Sequence, residues 1–129
     1  MLKSLFNEVT ITQIIADEFG KETPDFITIE DPKDKNYQKI LESFLDTGES
    51  SAIALALEKE KCMLILDDFK GRREAKHLSL DYTGTIGILI IAKEKGLINS
   101  FTEIINEIKK TNFRISDELL ARAKKKCGE

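Results

Sequence analysis

Leu45-Asp46-Thr47-Gly48-Glu49-Ser50-Ser51-Ala52-Ile53-Ala54-Leu55-Ala56, followed by Cys62-Met63-Leu64-Ile65-Leu66-Asp67-Asp68, decides the fold class of this chain. The first segment reads as an acidic start to an Ala-rich buried helix. The second reads as a short apolar strand that ends in two carboxylates. A strand with no polar residue until its last positions implies burial on both faces, as in a parallel sheet covered by helices. Open sheets of that kind bind ligands beyond the carboxyl ends of their strands, which is where Asp67 and Asp68 fall. Glu49, in the first turn of the preceding helix, can face the same crevice.

Elements alternate on either side of this stretch. Val9-Thr10-Ile11 is a short β-like run, and Thr12 can cap a helix carrying Ile14, Ile15 and Phe19 that Gly20 closes. Phe26-Ile27-Thr28-Ile29 reads as a short edge strand. Tyr37, Ile40, Leu41 and Phe44 follow the i, i+3, i+4, i+7 spacing of a helix with one buried stripe. After Asp68 come a short basic helix (Gly71 to Leu78) and another short strand at Leu80-Asp81-Tyr82-Thr83. Thr85 to Lys95 is apolar almost all round and stops at Gly96, which assigns it to a core. Phe101, Ile104, Ile105 and Ile108 form a clean stripe, with Ser100 as the N-cap of its helix. Ser116 caps a last helix whose Asp117 and Glu118 open it and whose Lys124-Lys125-Lys126 close it, both matching the helix dipole. The predicted architecture is α/β: a three-layer αβα sandwich with a mostly parallel central sheet, in one domain over residues 1–129.

Composition narrows the function classes. With 20 basic and 23 acidic residues, the net charge of −3 argues against a non-specific polyanion binder. The two cysteines, Cys62 and Cys127, give neither a disulfide framework nor a zinc pattern, and they fit a reducing cytoplasm. No apolar run approaches a membrane span. His77 is the only histidine, which rules out His-dependent triads and multi-His metal sites. Gly84-Thr85-Ile86-Gly87 lacks the Gly-Lys-Ser/Thr sequel of a phosphate loop. The phenylalanines are expected mainly on buried stripes, leaving no basic–aromatic surface for stacking bases.

The remaining chemistry lies in carboxylates: Glu18, Glu49, Asp67 and Asp68, with Asp46 a weaker candidate. An all-oxygen set suits a hard cation, Mg²⁺ or Mn²⁺, and metal-assisted phosphodiester hydrolysis is the sharpest reading. Each residue also has an ordinary explanation. Glu49 complements a helix dipole without any metal, Asp46 and Thr47 are common caps, and Asp67 and Asp68 suit a turn or a helix cap. Arg72 and Arg73 can pair with that acidic end, meet a substrate phosphate, or do neither.

The order Asp46-Thr47-Gly48-Glu49-x-x-Ala52-Ile53-x-Leu55-Ala56, Leu64-Ile65-Leu66-Asp67-Asp68-x-x-x-Arg72-x-x-Ala75, Thr83-Gly84-Thr85-Ile86-Gly87-Ile88-Leu89 and Asn112-Phe113-Arg114-Ile115-Ser116 resembles a branch of the PIN-domain proteins. The resemblance spans nearly the whole chain. It implies a ribonuclease dependent on Mg²⁺ or Mn²⁺ that acts on single-stranded RNA. Such a protein is often the toxin of a toxin–antitoxin pair, with an antitoxin protein and a second copy of itself as partners. By position, Glu18, Glu49, Asp67 and Asp68 match the family's acidic set, and Arg72 matches a basic position of this branch. The family also opens with an apolar strand ending in Asp. Here Met1 to Phe6 resembles the end of the helix that follows that strand, so the expected fold is N-terminally truncated. A binding or dimerisation module without catalysis is the second reading.

Overall fold

The computed structural model describes residues 6, 8–111 and 115–129. The reading of residues 1–5 as the end of a helix lies outside the described residues, and so do Asn112, Phe113 and Arg114 of the last motif. The chain forms two compact units, one within Leu2–Gly84 and one within Thr85–Glu129.

The first unit contains two β-α-β turns of chain. β1 (Val9–Ile11) leads through α1 (Gln13–Phe19) to β2 (Ile27–Ile29), which pairs with β1 in parallel, Val9 opposite Ile27. β3 (Met63–Ile65) leads through α4 (Phe69–His77) to β4 (Asp81–Thr83), again parallel, with Met63 opposite Asp81. Parallel neighbours need such a helical crossover because a tight turn cannot reverse the chain twice. Two helices stand between the β-α-β turns in sequence, α2 (Lys35–Leu41) and α3 (Thr47–Leu57). The α/β class and the parallel pairing are as predicted. Among the described residues the hydrogen-bonded strands form two separate pairs.

α3 is the centre of this unit. Ser50, Ser51, Ile53, Ala54, Leu55 and Ala56 are all buried, and α1, α2, α4 and β3 pack on it. Small residues let those neighbours approach closely. Leu41, Leu45, Ile53, Leu64, Leu66 and Ala75 make the shared core.

Two predicted burial patterns change. β3 was expected to be covered on both faces, yet Met63 and Ile65 are 48% and 42% exposed while Leu64 and Leu66 are buried. Successive strand residues point to opposite faces, and only one of them meets the core around α3. On α2, Ile40 and Phe44 are exposed, and Tyr37, Gln38, Leu41 and Leu45 face inward instead. The helix ends at Leu41, so Phe44 lies beyond it and off the helical phase. Gln38 is tolerated inside because its Nε2 donates to Glu42 Oε1 at 3.1 Å.

Thr12 ties α1 to α3. Its hydroxyl accepts from Ile15 N, capping α1, and lies 2.7 Å from Ser51 Oγ. Ser51 spends its own proton on Gly48 O, so Thr12 is the donor to Ser51. Thr12→Val keeps the shape but removes cap and donor together. It is expected to lower unfolding stability by about 1–2 kcal/mol in a urea titration.

The second unit is helical among its described residues: α5 (Thr85–Glu94), α6 (Phe101–Lys109) and α7 (Asp117–Lys126). Ile86, Leu89, Phe101, Ile105, Leu120 and Ala123 form its core, with Ser100 and Ser116 capping α6 and α7 as predicted. The Glu129 carboxylate accepts from the Phe101 and Thr102 amides and pairs with Lys93 at 3.3 Å. Hydrogen bonds from Thr102 and Phe101 pull its pKa down to about 2. A negative group at the start of α6 also complements the helix dipole.

Candidate functional site

The acidic residues singled out from the sequence all lie in the first unit, on elements that pack on α3 or on α3 itself. Asp46 caps α3, its Oδ1 accepting from Glu49 N at 2.8 Å. That cap fixes the first turn and sets the direction of the Glu49 side chain. Glu18, in the last turn of α1, reaches the same turn: both its carboxylate oxygens lie 2.9 Å from where a Cβ on Gly48 would stand. Asp68 occupies the N-cap position of α4 but makes no capping hydrogen bond.

Glu49 is the centre of the group. Its side chain lies against Gly71 of α4, with Oε2 3.1 Å from the site of a Cβ there. A side chain at position 71 would press on the carboxylate, which would have to give by a few tenths of an ångström. Oε2 is buried and has no hydrogen-bond partner among the described residues. Burial, the charges of Asp46 and Asp68, a shared proton with Asp68, and the charge of Glu18 push the Glu49 carboxyl up to about 7 from its ordinary 4.5. Like charges held together disfavour ionisation, and a cation relieves that penalty.

Asp67 takes a different direction from its neighbour. It stands 3.7 Å from Arg72 Nη2, while Arg72 Nε donates to Leu66 O at 2.7 Å. Arg72 thereby fastens the end of β3 to the first turn of α4. Gly84, just after β4, lies against the Arg72 guanidinium, and a Cβ there would stand 2.7 Å from Asp67 Oδ1. Nothing in the sequence pattern pointed to Gly84 for this role, because its neighbours in the site are distant in the chain.

Among the described residues no group of three or more His, Cys, Asp or Glu is gathered closely enough to hold a metal ion. The structure brings Glu49 and Asp68 together, sets Glu18 and Asp46 beside them, and turns Asp67 to Arg72. This donor set fits a hard divalent cation even so. Mg²⁺ is commonly bound through only one or two carboxylates, with water and substrate phosphate completing its shell. The buried, partnerless oxygen of Glu49 is the kind of acceptor such an ion satisfies.

No helix among the described residues is long and apolar enough to cross a membrane. No curated protein and no solved structure matches the chain. A family model described as a PIN domain matches residues 1–129. PIN domains are in general nucleases that act on RNA and use divalent metals. With the α/β fold, the parallel strand pairs and the acidic start of α3 in place, the chain belongs to the PIN-domain family.

Proposed function

We propose that this PIN domain is an endoribonuclease dependent on Mg²⁺ or Mn²⁺ that hydrolyses phosphodiesters of single-stranded RNA. The observation that carries the reading is Glu49, held half-buried beside Asp68 with an unpartnered oxygen and an acidity near neutral. Glu49 and Asp68 would hold the cation. When bound, it supplies Lewis-acid neutralisation of charge on the phosphate. Glu18, exposed beside the first turn of α3, orients the attacking water and takes its proton as the water oxygen bonds to phosphorus, while the ribose oxygen breaks from phosphorus and takes a proton from solvent to leave as a hydroxyl. Asp67 positions Arg72, which keeps further N–H donors for a phosphate oxygen. The resemblance extends the proposal to the toxin of a toxin–antitoxin pair, working in the cytoplasm and restrained by an antitoxin protein.

A second reading, a binding or dimerisation module without catalysis, draws on the fact that no three acidic side chains among the described residues are gathered closely enough to hold a metal ion. Incubation of the purified protein with a generic single-stranded RNA separates the two. Cutting is expected with Mn²⁺ or Mg²⁺, none with EDTA, and a loss of about 100-fold or more in Asp68→Asn. Absence of cutting with either metal would leave the binding module as the function.

A further inference from the structure

Phe69 directly follows Asp68, opens α4, and is 75% exposed. The sequence places phenylalanines mainly on buried stripes. This one is outside because Gly71 and Ala75 take the buried face of α4. With about 3.6 residues per turn, Phe69, Arg73 and Lys76 then share the opposite, outward face at i, i+4 and i+7. Beside them is an open depression of about 520 Å³ lined by Arg73, Glu74, Lys76 and His77.

The charge of this helix departs from that of the whole chain. α4 carries Lys70, Arg72, Arg73 and Lys76 against Glu74 alone, in a protein of net charge −3. Lys76 and His77 also suit the last turn of a helix with no ligand present. The dipole explains neither Arg73 in mid-helix nor an aromatic ring left in water.

We propose that the outward face of α4 carries single-stranded RNA away from the carboxylate site, with Phe69 stacked on a base and Arg73 and Lys76 on successive phosphates. This rests on the nuclease reading and adds the path of its substrate. Sequence-tolerant binding of single strands combines those two features, a cationic line for the backbone and an aromatic platform for a base. Phe69 and Lys76 are about 10 Å apart along the axis, room for two or three stacked nucleotides at about 3.4 Å each. A protein partner would account for the ring, but a row of cations beside it complements a polyanion.

The test is fluorescence anisotropy of a short labelled single-stranded RNA in EDTA, so that binding is read without cleavage. Phe69→Ala is expected to weaken binding about 5- to 100-fold. Arg73→Ala with Lys76→Ala should flatten the dependence of log affinity on log salt by about 1.4, two contacts of about 0.7 each. Lys39→Ala, an exposed lysine on α2, should change neither. All these side chains are exposed, and melting curves confirm that the variants fold. Unchanged RNA affinity in Phe69→Ala and in the double variant overturns the path, whether or not the protein cuts RNA. Weakened binding in those variants of a protein that does not cut supports the path and removes the nuclease reading alone. Failure of the wild type to bind RNA in EDTA overturns the path and leaves the nuclease reading to the cleavage assay. Loss of self-association in Phe69→Ala, with RNA affinity intact, overturns the path and gives the ring to a second copy of the chain.

Discussion

Glu49→Gln is expected to make the metal-free protein more stable and to stop it working. The Glu49 carboxyl sits at about 7 in the folded chain against an ordinary 4.5. The folded state therefore keeps its proton over a range where the unfolded state has lost it. Stability falls as pH rises from about 4.5 through 7, and the penalty is complete above that. Below 4.5 both states are protonated and the penalty is absent. Glutamine removes the charge at every pH. The variant should gain about 1–2 kcal/mol over wild type at pH 8, a value reduced from the full shift because water screens a half-buried group. The gain should vanish below pH 4.5. Metal-dependent RNA cleavage should fall about 100-fold or more. In wild type, cleavage should weaken as pH drops below about 7, because a proton on Glu49 competes with the cation. Thermal melts at pH 8 and pH 4, run beside cleavage rates, check both halves. A variant less stable than wild type at pH 8 would mean that Glu49 is stabilised by something other than what its neighbours imply.

Gly84→Ala should be the most damaging of the small substitutions near the site. A methyl group there falls on the Arg72 guanidinium and 2.7 Å from Asp67 Oδ1. The Arg72 side chain can swing away, but it then gives up the hydrogen bond to Leu66 O and the pairing with Asp67. The expected loss is about 2 kcal/mol, mostly from the carbonyl of buried Leu66 losing its charged donor, since Asp67 is exposed to water. Cleavage should fall about 10-fold through displacement of Arg72. The mechanism has its own control. In an Arg72→Ala background there is no guanidinium to displace, so Gly84→Ala should add only what the shift of Asp67 contributes. Full additivity in a double-mutant cycle would show that Gly84 acts through the backbone instead.

The elements of this chain were largely legible from local chemistry. Thr12, Ser100 and Ser116 are caps because their side-chain oxygens meet amides three residues on, an interaction contained within one turn. The apolar runs of β1 and β3 and the carboxylates after β3 were legible for the same reason. Burial was harder. A short apolar strand carries no mark of how many of its faces will be covered, and Met63 and Ile65 are exposed because only one face of β3 meets the core. Ile40 and Phe44 were misplaced because the start and end of α2, set by Asp34 and Leu41, decide which apolar residue turns inward.

The candidate site divides the same way. By itself the sequence determined which side chains could hold a hard cation, since the residue types and their positions at the starts and ends of elements are local facts. The tertiary structure alone decided how they sort: Glu49 against Gly71 and beside Asp68, Glu18 over Gly48, and Asp67 turned from its neighbour to Arg72. Those meetings join residues as far apart as Glu18 and Gly48, or Asp67 and Gly84. They exist only because parallel crossovers and the close packing of small residues on α3 bring distant segments within a few ångströms, a consequence of chain path that no local spacing encodes.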